Sequence, residues 1–378
     1  MTKLAQPNIS GCAKREYVDA YQTIRIIATI LVVIGHCSTL ALPIRSGEIW
    51  VYPGCEKADA VISEIKRLIY SFHMPLFMML SGLTFGLTFP KNGDWQWLVK
   101  RGKRLLFPYV TVILFALLPI RLLIGYYGEN PEWGKILYAD IFLTYDIGYL
   151  WYLIALFEIN TIVFLCRKYI LSQNLKRQIY SLTIILCVSV LSFLLKAVPF
   201  QLDRAVRYLF WFYLGIVLEY HRDILIKFAK TKNIIIAVAV WLVGYGLHTW
   251  LEMLLKEDAS GYLFWCIKGI KMLIRYSMME IGGSMMIVLL AFKVRKIHIK
   301  WLERIGNQAF AIYLYHCYCI WMIRKVIHIL IPASMMSNVL YGCMICLTIV
   351  FGVVGAMKID TVFTKAKKKL VGLSFNKW

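Results

Sequence analysis

Charge is scarce in this chain and negative charge scarcer: 17% of the 378 residues are charged, with 21 acidic side chains against 43 basic ones. With 60% apolar residues and a mean hydropathy of +0.65, the chain is too greasy for a soluble domain of its length. Long Gly/Ser or Pro linkers are missing, and no soluble insert interrupts the apolar runs, so a single membrane domain is expected. None of the seven histidines sits in an HExxH or similar pattern, so zinc chemistry has no support from spacing. The ten cysteines show no metal-ligand spacing either, and most of them lie in apolar runs as packing residues. Cys55 and Cys266 fall outside those runs and are a candidate pair. The first two dozen residues are polar, so no cleavable signal is expected. No inverted repeat is visible, which weighs against a secondary transporter.

Runs long enough to cross about 30 Å of hydrocarbon occur near 24–42, 69–89, 105–124, 147–166, 179–198, 205–220, 234–255, 270–292, 308–331 and 338–357. The expected fold is all-α, a polytopic transmembrane helical bundle of about ten spans with short loops. The longest external loop would run from 43 to 68. A net charge of +22 would suggest nucleic acid in a soluble protein, but its distribution here points to topology. The clusters KRGKR (100–104), RKYILSQNLKR (167–177), HRDILIKFAKTK (221–232), KVRKIHIKWLER (293–304) and KAKKK (365–369) all fall on one side when both termini are cytoplasmic. That gives a cytoplasmic N-terminal segment 1–23, a membrane domain 24–357 and a basic cytoplasmic tail 358–378. The expected location is the cytoplasmic (inner) cell membrane, with lipids as partners and no nucleic acid.

Arg25 and His36 share the stretch TIRIIATILVVIGHCSTLAL. A cation at the bilayer centre costs roughly 2.5–3.5 kcal/mol, so an Arg followed by a His in one span is a functional-site hypothesis. Eleven helical steps return His36 to within about 20° of Arg25, about 16 Å further along the axis. In the second run, YSFHMPLFMMLSGLTFG, His73 precedes Pro75 and would lie within roughly one helical turn of His36 in depth. Its bland alternative is an interfacial histidine bonded to backbone freed by the proline. Lys100, Arg101 and Arg104 stand at the cytoplasmic edge of the third run. They would serve either as a stop-transfer cluster on anionic lipid or as a phosphate clamp, with Arg101 and Arg104 on one helix face. Other polar residues lie within apolar runs: Arg121, Glu158, Asn160, Arg207, His248 with Glu252, Arg275 with Glu280, and His316, the last expected to be a core histidine.

Arg25 and His36 at a basic-x10-His spacing, FHMPLFMMLSG (72–82), KRGKRLLFPY (100–109), LWYLIALF (150–157) and IGNQAFAIYLYH (305–316) occur in order along nearly the whole chain. Together they resemble the acyltransferase 3 family of integral membrane acyltransferases, in particular its fucose 4-O-acetylase-like and intercellular-adhesion polysaccharide branch. The resemblance implies an O-acetyltransferase moving an acyl group from cytoplasmic acetyl-CoA, or another acyl-CoA, to a hydroxyl of a cell-surface or lipid-linked carbohydrate. It implies polysaccharide modification, with no metal required. His36 would be general base or transient acyl carrier, with His73 a further catalytic candidate at a similar depth. Arg25 would position the donor or stabilise an oxyanion, and Lys100, Arg101 and Arg104 would hold the CoA phosphates. The family's acidic residue stands about three positions before the basic one, whereas Asp19 here precedes Arg25 by six, and it joins the donor-binding set on that footing. The rival reading is an exporter of polysaccharide or lipid-linked sugar, which has no need of an imidazole at a fixed height above a phosphate clamp.

Overall fold

The computed structural model describes residues 11–45, 47–49, 52–90, 94–172, 174–192, 198–256 and 261–375. Residues 1–10 of the expected N-terminal segment and 376–378 of the tail lie outside the described residues. The chain is almost wholly helical, as its apolar runs require. Seven stretches among the described residues are long and apolar enough to cross a membrane: Val18–His36, Glu56–Thr88, Trp95–Leu123, Gly148–Leu165, Thr231–Leu255, Phe264–Val294 and Asn338–Lys365. The other three expected runs also fold as helices, Leu175–Leu191, Leu202–Tyr220 and Ala309–Leu330. They are shorter or more polar. The second carries Asp203, Arg204, Arg207 and Glu219, and the third carries Arg324 and Lys325.

The structure corrects two expectations. The run at 24–42 is not one continuous span: helix α1 (Gly11–His36) ends at His36, and residues 37–41 continue as buried irregular backbone. Such backbone is tolerated at membrane depth only where protein groups satisfy it. The expected loop at 43–68 is largely ordered. It forms a short antiparallel hairpin, β1 (Leu42–Ile44) with β2 (Gly47–Ile49), Leu42 opposite Ile49, and then an amphipathic helix α2 (Glu56–Tyr70). The helical period of apolar positions Val61, Ile62, Ile65 and Ile69 is the signal for α2. Cys55 and Cys266 are both free thiols.

The chain divides into two compact units. The first comprises Met1–Ile24, Ser71–Ile113 and Glu132–Lys296. It holds α3 (His73–Thr88), α4 (Trp95–Val112), α5 (Trp151–Leu165), α6 (Leu175–Leu191), α7 (Leu202–Tyr220), α8 (Thr231–Lys256), α9 (Gly261–Ile274) and α10 (Ile281–Val294). Its tightest crossing is α3 on α7. A Cβ added at Gly82 would stand 1.9 Å from the Phe212 carbonyl oxygen, and one at Gly215 would stand 2.2 Å from the Met79 carbonyl oxygen. The two glycines therefore let backbone meet backbone, the way small residues pack helices in membranes. The first half of α1 is tied to this unit by the Tyr21 hydroxyl, which donates to the Glu219 carboxylate, and by Thr23 Oγ1 donating to the Arg295 carbonyl at 2.7 Å. Between α9 and α10 the helix widens to a π turn over Arg275–Glu280. Hydrogen bonds there run i to i+5, so residues five apart can meet. Arg275 Nε donates to Glu280 Oε1 at 3.0 Å, as the sequence pairing expects.

The second unit comprises Arg25–Tyr70, Leu114–Pro131 and Ile297–Trp378. It holds the rest of α1, the hairpin, α2, and then α11 (Lys300–Asn307), α12 (Ala309–Leu330) and α13 (Asn338–Phe375). Helices α12 and α13 pack along one another. One core cluster joins Val33, Cys37, Ile305, Ile312, Ile320, Val353 and Ala356. A second joins Leu40, Tyr52, Cys55, Ile327, Met336, Tyr341 and Ile345. Both clusters close around the end of α1, where the site lies.

Candidate functional site around the end of the first helix

His36 is the last residue of α1, and every carbonyl in the last turn of a helix lacks an intrahelical partner. Apolar neighbours cannot supply donors, so polar side chains from α12 do. Arg324, 3% exposed, donates from Nη2 to the His36 carbonyl at 2.7 Å and from Nη1 to the Ala41 carbonyl at 3.2 Å. One turn on, His328 Nε2 meets the Leu40 carbonyl at 2.9 Å. Tyr341 from α13 accepts from the Leu40 amide at 3.1 Å and donates to Asp59 Oδ1 of α2 at 2.7 Å. The irregular segment after His36 is thus clamped from two helices, α12 and α13. An unpaired cation here would be costly, but its fork of donors fits the two carbonyls.

The His36 ring is partly exposed and lies between two others. Its centroid is 5.1 Å from that of His316 and 6.1 Å from that of Tyr70, edge-on. Tyr70 Oη stands 3.5 Å from His36 Nδ1, at the outer limit of a hydrogen bond. Tyr70 approaches this closely because residue 35 is glycine, where an added Cβ would sit 2.5 Å from Tyr70 Cε1. His316 is fully buried. Its Nδ1 faces the carbonyls of Ile312 at 2.8 Å and Tyr313 at 3.0 Å. Two acceptors at Nδ1 require the proton there and leave Nε2 as acceptor. Cys317 Sγ lies 3.3 Å from that Nε2 and donates to it.

Arg25 and His36 do lie on one uninterrupted α-helix, so their shared stripe and the separation of about 16 Å stand. Arg25 is half-buried. The remaining expected site residues belong to the first unit. His73 is buried and opens α3, with Pro75 in the first turn, where a missing N–H leaves no helical bond unmade. Lys100 and Arg104 are exposed on α4 and Arg101 is half-buried. Arg101 Nη2 donates to Thr88 Oγ1 at 3.2 Å, and its guanidinium lies over the Trp97 ring at 5.1 Å. Asp19 is half-buried on the first part of α1.

Sequence reasoning misses Arg324, although an Arg-Lys pair deep in an apolar run is the available signal. His316 is the buried core histidine expected, and what the sequence does not show is that it also stands against His36. Arg324 acts through the backbone of His36, as a positioning residue. Replacing it with Met is expected to strand two buried carbonyls and cost roughly 2–4 kcal/mol locally. In a transfer assay it should lower kcat with little change in donor KM, and Arg324→Lys should restore part of the loss. A Met variant with wild-type kcat and thermal midpoint would remove the clamp from the account.

Searches of curated proteins and of solved structures find no match to this chain. The family model described as an acyltransferase domain, that of acyltransferase 3, matches residues 18–357, a stretch that begins just before Asp19 and runs through α1, the glycine crossing, the cationic start of α4 and the His316 helix. The chain belongs to the acyltransferase 3 family and is a membrane acyltransferase.

Proposed function

We propose that the protein transfers an acyl group, in the simplest case acetyl, from cytoplasmic acyl-CoA to a hydroxyl of a cell-surface or lipid-linked carbohydrate. His36 is the base in this reading. The observation that carries it is the seating of His36: an imidazole at a helix end, its own carbonyl held by Arg324, with Tyr70 and His316 on either side. Such a ring can take the proton of an acceptor hydroxyl as the oxygen attacks the thioester carbonyl. The carbon–sulfur bond breaks, and the departing thiolate takes the proton back from the imidazolium.

Magnitude decides between the two roles open to Arg25. At about 16 Å along the helix axis its guanidinium is out of reach of an oxyanion forming beside His36, so it positions the donor at a distance from the reacting atoms. An extended pantetheine arm matches that interval. Lys100, Arg101 and Arg104 suit the phosphates of acyl-CoA, because Arg presents a planar fork of donors to phosphate oxygens. In this reading the clamp faces the cytoplasm, the inner leaflet holds the basic clusters, and the protein resides in the cytoplasmic membrane.

The test is binding of acetyl-CoA to the purified protein in detergent. Arg101→Ala with Arg104→Ala is expected to weaken binding by at least about tenfold, as loss of charge-assisted contacts worth about 1.5–3 kcal/mol each would, and binding to the native protein should weaken as salt is raised. Equal affinity in the double variant would reduce the cluster to a topological marker. Mass spectrometry of surface glycans from wild-type and deletion strains then identifies the acyl group and the sugar.

A further inference from the structure

His316 and Cys317 are consecutive on α12, and α1 brings His36 to them. One potential ligand atom from each of the three side chains lies within 4.8 Å of the other two. We propose that His36, His316 and Cys317 form a binding site for a soft divalent transition metal of the zinc class.

The donor chemistry selects that class. Two imidazole nitrogens and one sulfur suit zinc or cobalt, whereas magnesium and calcium require oxygen donors. The spacing suits it as well. With Zn–N of about 2.0–2.1 Å and Zn–S of about 2.3 Å, a tetrahedral ion sets its ligand atoms about 3.3–3.6 Å apart. Cys317 Sγ and His316 Nε2 already stand at 3.3 Å, and small side-chain rotations of His36 close the remainder. The tautomer of His316 also suits a ligand. Ile312 and Tyr313 hold the proton on Nδ1, as the outer hydrogen bond of a metal-ligating histidine does, and Nε2 faces the sulfur. His316 and Cys317 are buried and His36 is partly exposed, which gives an entry path and leaves a fourth position for water. The ion takes the place of the thiol proton, so each one bound converts Cys–SH to a metal thiolate and releases one proton to solvent. No spacing in the sequence announces the site because 279 residues separate His36 from the His316–Cys317 pair.

A second consequence rests on the proposed role of His36. A nitrogen lone pair bound to metal cannot take a proton, so the ion inhibits acyl transfer. Zinc in this account is a brake on the enzyme.

The experiment uses the full-length protein in detergent micelles, stripped with chelator and titrated with Co²⁺. A thiolate-to-cobalt charge-transfer band is expected in the near ultraviolet at one ion per chain, displaced by Zn²⁺. Cys317→Ser should abolish the band and weaken zinc binding by about 10–100-fold, while retaining wild-type acyl transfer in chelator and losing its sensitivity to zinc. Absence of the band in the wild-type protein overturns the site whatever the variants do. Loss of transfer by a folded Cys317→Ser protein in chelator overturns it too, by making the sulfur part of the transfer. Stoichiometric zinc binding that leaves transfer untouched upholds the site and contradicts His36 as base, so the two readings fail separately.

Discussion

In the proposed reading, His36→Ala is expected to abolish acylation of a surface glycan, with protein level and membrane insertion unchanged. General-base catalysis by a positioned side chain contributes about 10²–10⁴-fold, so kcat should fall at least about a hundredfold. Donor KM should hold, because Arg25 and the α4 cations lie elsewhere in the sequence. The stability of the variant follows from the same geometry. Arg324 binds the carbonyl of residue 36, which alanine retains, and the ring is partly exposed, so its removal leaves no large buried void. A thermal midpoint near wild type is therefore expected. His36→Gln keeps volume and polarity without basicity and should be equally inactive. If His36 carries the acyl group covalently, rapid quenching of the wild-type reaction with labelled donor traps an acyl-protein that both variants lack. Normal glycan acylation in either variant removes His36 from catalysis.

Gly82→Val carries the largest expected effect on folding. The new Cβ would stand 1.9 Å from the Phe212 carbonyl oxygen and 3.1 Å from the Gly215 Cα. Both obstacles are backbone, so no rotamer change relieves them, and α3 and α7 must separate by about 1.5 Å to reach ordinary van der Waals contact. Overpacking in a tight core costs about 1–3 kcal/mol, and prising apart two backbones belongs at or above the top of that range. The variant should accumulate poorly, and what is purified should unfold at a lower temperature. Gly246→Ala supplies the contrast. Gly246 is an exposed position of α8 with nothing within 4 Å of an added Cβ, so alanine there should gain up to about 1 kcal/mol of helix propensity. Equal stability of the Gly82→Val and Gly246→Ala proteins would mean the α3–α7 crossing is not the close contact described.

Much of the fold was legible because apolar runs of bilayer length dictate helices, and the order of five motifs carried the family. The end of α1 was not. Apart from Arg25, His36 and a few small hydroxyl residues, TIRIIATILVVIGHCSTLAL is apolar, and it holds no proline to stop a helix at His36. The stop depends on Arg324 and His328, which donate to the carbonyls of the non-helical backbone, and on Tyr341, which accepts from the Leu40 amide, all nearly three hundred residues away. The helix Glu56–Tyr70 reads as loop because its charged face lowers its hydropathy below that of a span, although its apolar residues keep helical spacing. In the site, Arg25 and His36 could be related from sequence because a single helix fixes their separation. The pairing of His36 with His316 could not, since it depends on α1 and α12 coming together. Gly82 showed only as the end of a motif, and its partner Gly215 carried no sign that it would face it.

The central claim is that this membrane protein moves an acyl group from acyl-CoA through His36. The most direct measurement reconstitutes purified protein in lipid vesicles, supplies acetyl-CoA labelled in the acetyl group together with surface glycan or its lipid-linked precursor, and follows label in carbohydrate alongside release of free CoA. The expected result is equal yields of labelled ester and free CoA from the wild-type protein and neither from His36→Ala. Labelled carbohydrate formed at the wild-type rate by His36→Ala, or no CoA release from active wild-type vesicles, would contradict it.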